Sequence, residues 1–338
     1  MISFIKKNIY KLIIFFYYDR VKIKKKKIYS SVNKKPKFLL ISNLNSLGGM
    51  FSNLKIVLNG ICEAKKRGLK PEVDMENFPT LYNDKDIKYT QNSWLYYFSP
   101  LSVGLRKVLK LNFLINENNK IKYNLIYNNK KKNTYLKKIY LKYISINKEF
   151  LITAETFFKK NFSNKKVIAV HFRGTDAKIT PSHKFPPTLE QVDNFLSKYL
   201  RENEIDHIFF ITDQLSYLDY FKKKYKKKLL YWKSFRSNKY KIFNLKVRRK
   251  HNYKLGKDNI IEMLILSKID TIIYSNSNLV EFAIFHSNLK RIRSFQLENG
   301  INSKNILISL FLWNLKKLLP KNIGGFNKSA KIKEYLIK

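Results

Sequence analysis

Apolar positions along the chain fall into two alternating patterns: short continuous runs that end in polar residues, and longer stretches with helical spacing. Phe38–Ser42 reads as a buried strand and Asn43–Gly49 as a polar, glycine-containing turn. Phe51–Arg67 then reads as a helix, because Leu54, Val57, Leu58, Ile61 and Ala64 recur on one face. Gly68 stops that helix, and Pro71–Met75 begins a second strand. The turn of this unit lies at the carboxyl end of a strand and the amino end of a helix, the usual crevice for ligands in open α/β sheets.

The stretch Asn112–Phe162 has helical phases and completes the first unit, after which the alternation resumes. Val167–Val170 is a strand, His171 to Pro187 a polar loop, and Thr188–Asn203 a helix in which Thr188 and Gln191 have capping-box spacing. His207–Thr212 is a strand ending in Asp213, followed by a helix over Ser216–Tyr225 and a strand over Leu229–Trp232. A helix over Asp258–Ser267, a strand over Thr271–Tyr274, the turn Ser275–Asn278 and a helix over Leu279–His286 complete the series. Such alternation predicts a mainly parallel, doubly wound sheet. Two units of this kind predict an α/β protein of two facing Rossmann-like domains with a cleft between them. The expected division is a basic, partly apolar segment at 1–36, a first domain at 37–165, a second at 166–300 and a helical tail at 301–338.

Composition changes this picture little. The 338 residues, 44% of them hydrophobic, are enough for a substantial core. The net charge of +44 would ordinarily point to nucleic acid, but the excess is lysine spread through every segment together with Asn, Ile, Tyr and Phe, as in an AT-rich genome. Solvated faces follow, and no nucleic-acid partner. The contrasting class, a non-catalytic basic protein bound to nucleic acid or membrane, would need its charges clustered on one face and steeply salt-dependent binding. Cys62 is the lone cysteine, and no His/Cys cluster has zinc-ligand spacing, so a reducing, cytoplasmic location and no metal are expected. The apolar run Ile9–Tyr18 is interrupted by Lys11 and falls short of the roughly 20 residues that span a bilayer. Its aromatic end, Phe15 to Tyr18, followed by Lys22 and Lys24–Lys27, suits two readings: docking on anionic lipid, or packing on the protein's own body. The first would make the protein peripheral on the inner face of the cytoplasmic membrane.

The chemistry concentrates at strand ends. His171, Arg173 and Asp176 follow one strand, Thr212 and Asp213 another, and Ser275, Ser277 and Asn278 a third. In a parallel sheet those ends share one edge and form one polar rim. Arg173 can clamp paired oxygens of a diphosphate, while hydroxyls and amides at the start of a helix add neutral donors and a favourable dipole. There is no GxGxxG and no Gly-rich Lys loop of a nucleoside triphosphatase.

The stretch HFRGTD at His171–Asp176 resembles the H-x-R-[RG]-[TG]-D motif shared by the α1,2-, α1,6- and protein O-fucosyltransferases, including the rhizobial chitin-oligosaccharide α1,6-fucosyltransferases. FFITD at Phe209–Asp213 resembles their second motif and EMLILSKIDTIIYSNSNLVEFA at Glu262–Ala283 their third; SLGGMFSNL at Ser46–Leu54 and NSWLYYFSP at Asn92–Pro100 resemble bacterial members. The resemblance implies a GT-B fold and inverting transfer of fucose from GDP-fucose to a hydroxyl of a cell-surface glycan or its lipid-linked precursor. It implies no obligatory metal and no further cofactor.

By motif, Arg173 would bind the β-phosphate and offset charge on departing GDP, and His171 would contact the nucleotide. Asp213, Ser275, Ser277 and Asn278 would belong to the donor site, Glu262 would read guanine N1 and N2, and Gly48 and Gly49 would form an acceptor or pyrophosphate loop. Asp176 is expected to brace its loop more than to react. Two departures stand out. Gly174 occupies the place of the second arginine in the RR versions, and the stretch KITPSHK at Lys178–Lys184 has no carboxylate where the α1,6 enzymes carry a glutamate proposed as base. His183 is the nearest proton acceptor there. Asp74 or Glu76 of the first domain, or no base at all in a dissociative transition state, are the other options.

Overall fold

A computed structural model describes residues 36–43, 48–116, 130–178, 183–239, 242–245, 247–326 and 329–337. The apolar, basic segment at the amino terminus, Ser46, and part of KITPSHK lie outside the described residues, as does the side chain of Asp176. Contacts divide the chain into two compact units, with the boundary between Asn147 and Lys148.

In the first unit, β1 (Phe38–Ile41), β2 (Lys70–Val73) and β3 (Phe113–Ile115) form a parallel sheet in the order β2-β1-β3. The helix α1 (Met50–Lys66) crosses between β1 and β2, and its Gly60 is a packing requirement. A Cβ there would stand 2.6 Å from Ile41, so only glycine lets the helix lie this close to the strand. The short α2 (Leu105–Val108) precedes β3, and α3 (Lys130–Tyr143) buries Leu136, Ile139 and Tyr140.

The second unit begins with α4 (Lys148–Phe162), which starts nineteen residues before its first strand. The helix belongs here because Phe157 and Phe162 set their rings 6.0 and 5.7 Å from that of Phe209 in the second sheet. The following elements are β4 (Val167–His171), α5 (Leu189–Glu202), β5 (His207–Ile211), α6 (Leu215–Tyr225), β6 (Leu229–Leu230), α7 (His251–Leu266), β7 (Thr271–Tyr274), α8 (Asn278–His286), β8 (Ile292–Glu298), α9 (Ile306–Leu318) and β9 (Lys331–Ile337). The sheet order is β6-β5-β4-β7-β8-β9, parallel except for β9, which runs antiparallel along β8. The tail beyond residue 300 is therefore helix plus edge strand. The alternation in KIKEYLI supports a strand, since successive side chains of a strand face opposite ways.

Continuous apolar runs make β4 and β5 fully internal strands, as expected where helices cover both sheet faces. Ile168, Val170, Phe210, Leu196 and Phe221 form the centre of the core, each worth roughly 2 kcal/mol of burial. Thr188 caps α5, accepting from the backbone N–H of Gln191 while the Gln191 side chain accepts from the backbone N–H of Thr188. Among the described residues no helix is long and apolar enough to cross a membrane.

Candidate active site

The chain order of the second sheet reverses between β4 and β7, and open α/β sheets place their ligands beyond the carboxyl ends of such a pair. His171 ends β4, pairs in register with Ile211 and Tyr274, and accepts at its backbone oxygen from Ser275 N (3.3 Å). Ser277 is the N-cap of α8, its hydroxyl accepting from Leu279 N, and its Oγ lies 3.5 Å from His171 Nε2. The strand end of β4 and the helix start after β7 are thus one cluster. Its positive helix end favours an anion.

Burial gives this cluster its electrostatics. His171 is buried, and desolvation together with the nearby Arg173 charge pushes its pKa down to about 3, so the imidazole is neutral near pH 7. His171 Nδ1 and Ser275 Oγ are buried without a hydrogen-bond partner in the protein. Leaving such groups unsatisfied costs about 1–3 kcal/mol each, a cost native proteins concentrate at functional sites. Arg173 is half-buried one residue beyond Phe172, whose ring stacks on Tyr217 of α6 at 4.1 Å. That stack anchors the loop at its first turn.

The loop is pinned again by Asp213. Gly174 N donates to its Oδ1 (2.7 Å) and Thr175 Oγ1 to its Oδ2 (2.5 Å). Asp213 therefore braces the motif loop, the part the sequence pattern suggested for Asp176. Gly174 also shows why a second arginine is absent. A Cβ at this position would stand 2.7 Å from Gln214 Cβ and 2.9 Å from Tyr217 Cε2, so α6 occupies the space. Thr175, Gln214 and Tyr217 were not singled out by the sequence patterns, since only the packing of α6 against the loop brings them here.

Lys178 is a further unanticipated member. It is buried, donates to Gln214 Oε1 (2.6 Å), and its ammonium lies 4.8 Å from the Tyr217 ring centroid. Desolvation lowers its pKa to about 8. Glu262, on α7, is also buried, and desolvation raises its pKa to about 7 although Arg236 opposes the shift. Ser234 Oγ donates to Glu262 Oε1 (2.8 Å), and Arg236 Nη2 lies 3.6 Å from the same oxygen. Arg236 is itself buried, donating to the backbone oxygens of Ser234 and Trp232. Asn278 is half-buried in the first turn of α8, and His183 is exposed, its backbone oxygen accepting from Asn302 N.

In the first unit, Gly49 caps α1, and the N–H of Met50 donates to the Tyr82 hydroxyl (2.8 Å). Gly48 lies against the Asn43–Asn53 side-chain pair, where a Cβ would come within 3.1 Å of Asn53 Oδ1. Asp74 is fully buried, with both oxygens engaged by Glu76 N, Asn77 N and Asn77 Nδ2. This is a turn-forming carboxylate whose pKa burial pushes up while those hydrogen bonds oppose the shift. The aromatics of NSWLYYFSP are likewise internal: Trp94, Tyr96, Tyr97 and Phe98 are all buried. Among the described residues no group of three or more His, Cys, Asp or Glu could hold a metal ion.

No model of a known protein family matches the chain, and no curated protein sequence matches it. Solved structures do. NodZ α1,6-fucosyltransferase co-crystallised with GDP superposes with a TM-score of 0.53 at 14% identity, over 79% of this chain and 97% of that one. The same enzyme soaked with GDP-fucose gives 0.51 at 14% identity, over 78% and 95%. Fucosyltransferase NodZ from Bradyrhizobium gives 0.50 at 13% identity, over 78% and 96%. The fold is GT-B. At these identities the likeness is one of fold, and it extends over almost the whole length of those chains.

Proposed function

We propose that the protein is an inverting glycosyltransferase that moves fucose from GDP-fucose to a hydroxyl of a cell-surface glycan or its lipid-linked precursor. The observation that carries this reading is the cluster of His171, Arg173 and the α8 amino end at the switch point of a sheet whose fold is that of an enzyme crystallised with GDP. The resemblance of the three ordered motifs favours fucose as the sugar, and another GDP-linked sugar at the same site is the alternative.

In this reading the diphosphate lies against the start of α8, where Ser277 and Asn278 and the helix dipole meet negative charge. The acceptor oxygen attacks the anomeric carbon as the bond to the GDP oxygen breaks, so charge grows on the β-phosphate. Arg173 stabilises that charge most strongly in the transition state, which is the condition for raising turnover. Neutral His171 contributes a hydrogen bond without competing for the anion. Glu262 reads guanine through its carboxylate, with Arg236 and Ser234 as positioning residues. The acceptor proton leaves to His183, to Asp74 or Glu76 of the first unit, or to solvent.

Calorimetry with GDP and GDP-fucose, followed by a donor-hydrolysis screen over GDP-, UDP- and CMP-sugars, tests the proposal. The expected result is GDP binding and selective turnover of GDP-fucose. Turnover of a different GDP-sugar would change the donor and keep the site; absence of GDP binding would end the reading.

A further inference from the structure

The end of the second unit carries a surface that the donor site does not use. On one side α9 buries Ser309 and Trp313, the indole lying 6.2 and 5.2 Å from the rings of Phe185 and Phe326. The other side presents Ile308, Phe311, Leu315 and Leu318 to solvent, exposed by 48, 64, 36 and 83%. Their spacing of three, four and three residues puts them in one stripe along the helix. Single exposed apolar residues are ordinary, but a row of four on one helix face marks an interaction surface. Of the nineteen large apolar side chains exposed among the described residues, eight lie between Ile301 and Leu336. The patch is local to this segment.

Charge identifies the occupant. From Asn299 to Lys333 the chain contains no Asp or Glu and seven lysines, of which the exposed Lys304 precedes α9 and the exposed Lys321 follows it, whereas Lys316 Nζ donates to Gly324 O (2.9 Å) and Lys317 faces the side of Lys178. A second copy of the chain would set two acid-free, lysine-bearing segments face to face, which like-charge repulsion opposes. An anionic bilayer satisfies both features at once, taking apolar side chains at its acyl boundary and ammonium groups among its headgroups. We propose that α9 is a membrane-docking helix, its Ile308–Phe311–Leu315–Leu318 stripe entering the interface and the flanking lysines, Lys304 and Lys321, meeting anionic headgroups. The buried side of the helix touches the motif loop, since Lys178 Nζ lies 5.9 Å from the Trp313 ring centroid. Docking would therefore set that loop close behind the lipid surface. The docking itself does not depend on the transfer reading.

The experiment uses the full chain with an environment-sensitive fluorophore on Phe311→Cys and, as control, on Lys198→Cys, whose site on α5 is well exposed; the native Cys62 is buried. Vesicles of phosphatidylcholine alone are compared with vesicles containing about 30% phosphatidylglycerol. On the anionic vesicles the label at 311 should shift to the blue and resist an aqueous quencher, while the label at 198 stays in water. The unlabelled double variant Phe311→Ser/Leu318→Ser, with unchanged charge, should bind those vesicles about tenfold more weakly or worse. Arg173→Ala should bind them as the wild type does, which separates this proposal from the donor site. A 311 label that stays in water on vesicle-bound protein, or a double variant that binds as the wild type does, would overturn it. So would a blue shift at 311 without vesicles, which would report a stripe already covered by protein.

Discussion

Both units set acidic residues at or near the carboxyl ends of parallel strands, yet they use them to different effect. In the first unit Glu72, buried in β2, accepts from the backbone N–H groups of Leu101, Ser102 and Gly104 and from the Ser102 hydroxyl. Asp74 closes the next turn in the same way. In the second unit Asp213 does equivalent work for Gly174 and Thr175, but the loop it pins carries Arg173 and starts from buried His171, beside the start of α8. The difference teaches how to read a strand-end carboxylate. It is a fastening in both places, and what marks the second place as a site is the cation on the fastened loop, beside buried His171 and the start of α8.

The sharpest way to break that contrast is Arg173→Ala. Turnover of the donor should fall about 10²–10³-fold, the usual cost of losing one preorganised charge-stabilising donor. Lys198→Ala on the exposed face of α5 should change nothing, and equal losses in steady-state assays would remove the phosphate role. Next come the two fastenings. Glu72→Ala and Asp213→Ala should each lower stability in urea unfolding by about 3 kcal/mol, because several buried N–H or O–H donors lose their acceptor. Only Asp213→Ala should also weaken GDP binding in calorimetry. Loss of GDP binding in Glu72→Ala, measured on the folded fraction, would erase the distinction.

A smaller effect tests the close approach of α6. Gly174→Ala should cost about 1–3 kcal/mol, and Gln214→Ala in the same chain should recover part of it, since Gln214 fills the space a Cβ needs. The smallest concerns Lys178, whose folded pKa of about 8 lies below its ordinary 10.5. The unfolded chain binds the extra proton between those values, so the group lowers stability below pH 8, and stability is regained as pH rises from 8 to 10.5. Lys178→Met should stabilise the protein by roughly 1 kcal/mol at pH 7 and abolish that alkaline gain, as read from melting curves at a series of pH values.

Much of the second unit was legible along the chain. Val167–His171, His207–Ile211 and Thr271–Tyr274 are apolar runs closed by polar residues, and the Thr188–Gln191 cap is a local pair, so each is set by neighbours in sequence. The assignment of Lys148–Phe162 was not, because Phe157 and Phe162 meet Phe209 only after the chain has folded. The strand Lys331–Ile337 was missed for a related reason: its partner β8 lies more than thirty residues earlier. The stretch Asn92–Pro100, noted along the chain only for its resemblance to bacterial members, is largely an internal aromatic cluster, since Trp94 and Phe98 stack at 4.2 Å.

The sequence alone determined the parallel α/β character of the protein and the presence of His171, Arg173 and Ser277 at strand ends, because strand runs, turns and helix caps are local patterns of polarity. Tertiary structure decided the rest. It made Asp213 the brace, closed position 174 to any side chain, fastened Asp74 into a turn and left the stripe of α9 in solvent. Each of these depends on which atoms lie within a few ångströms across elements distant in the chain, and polarity patterns carry no record of those distances.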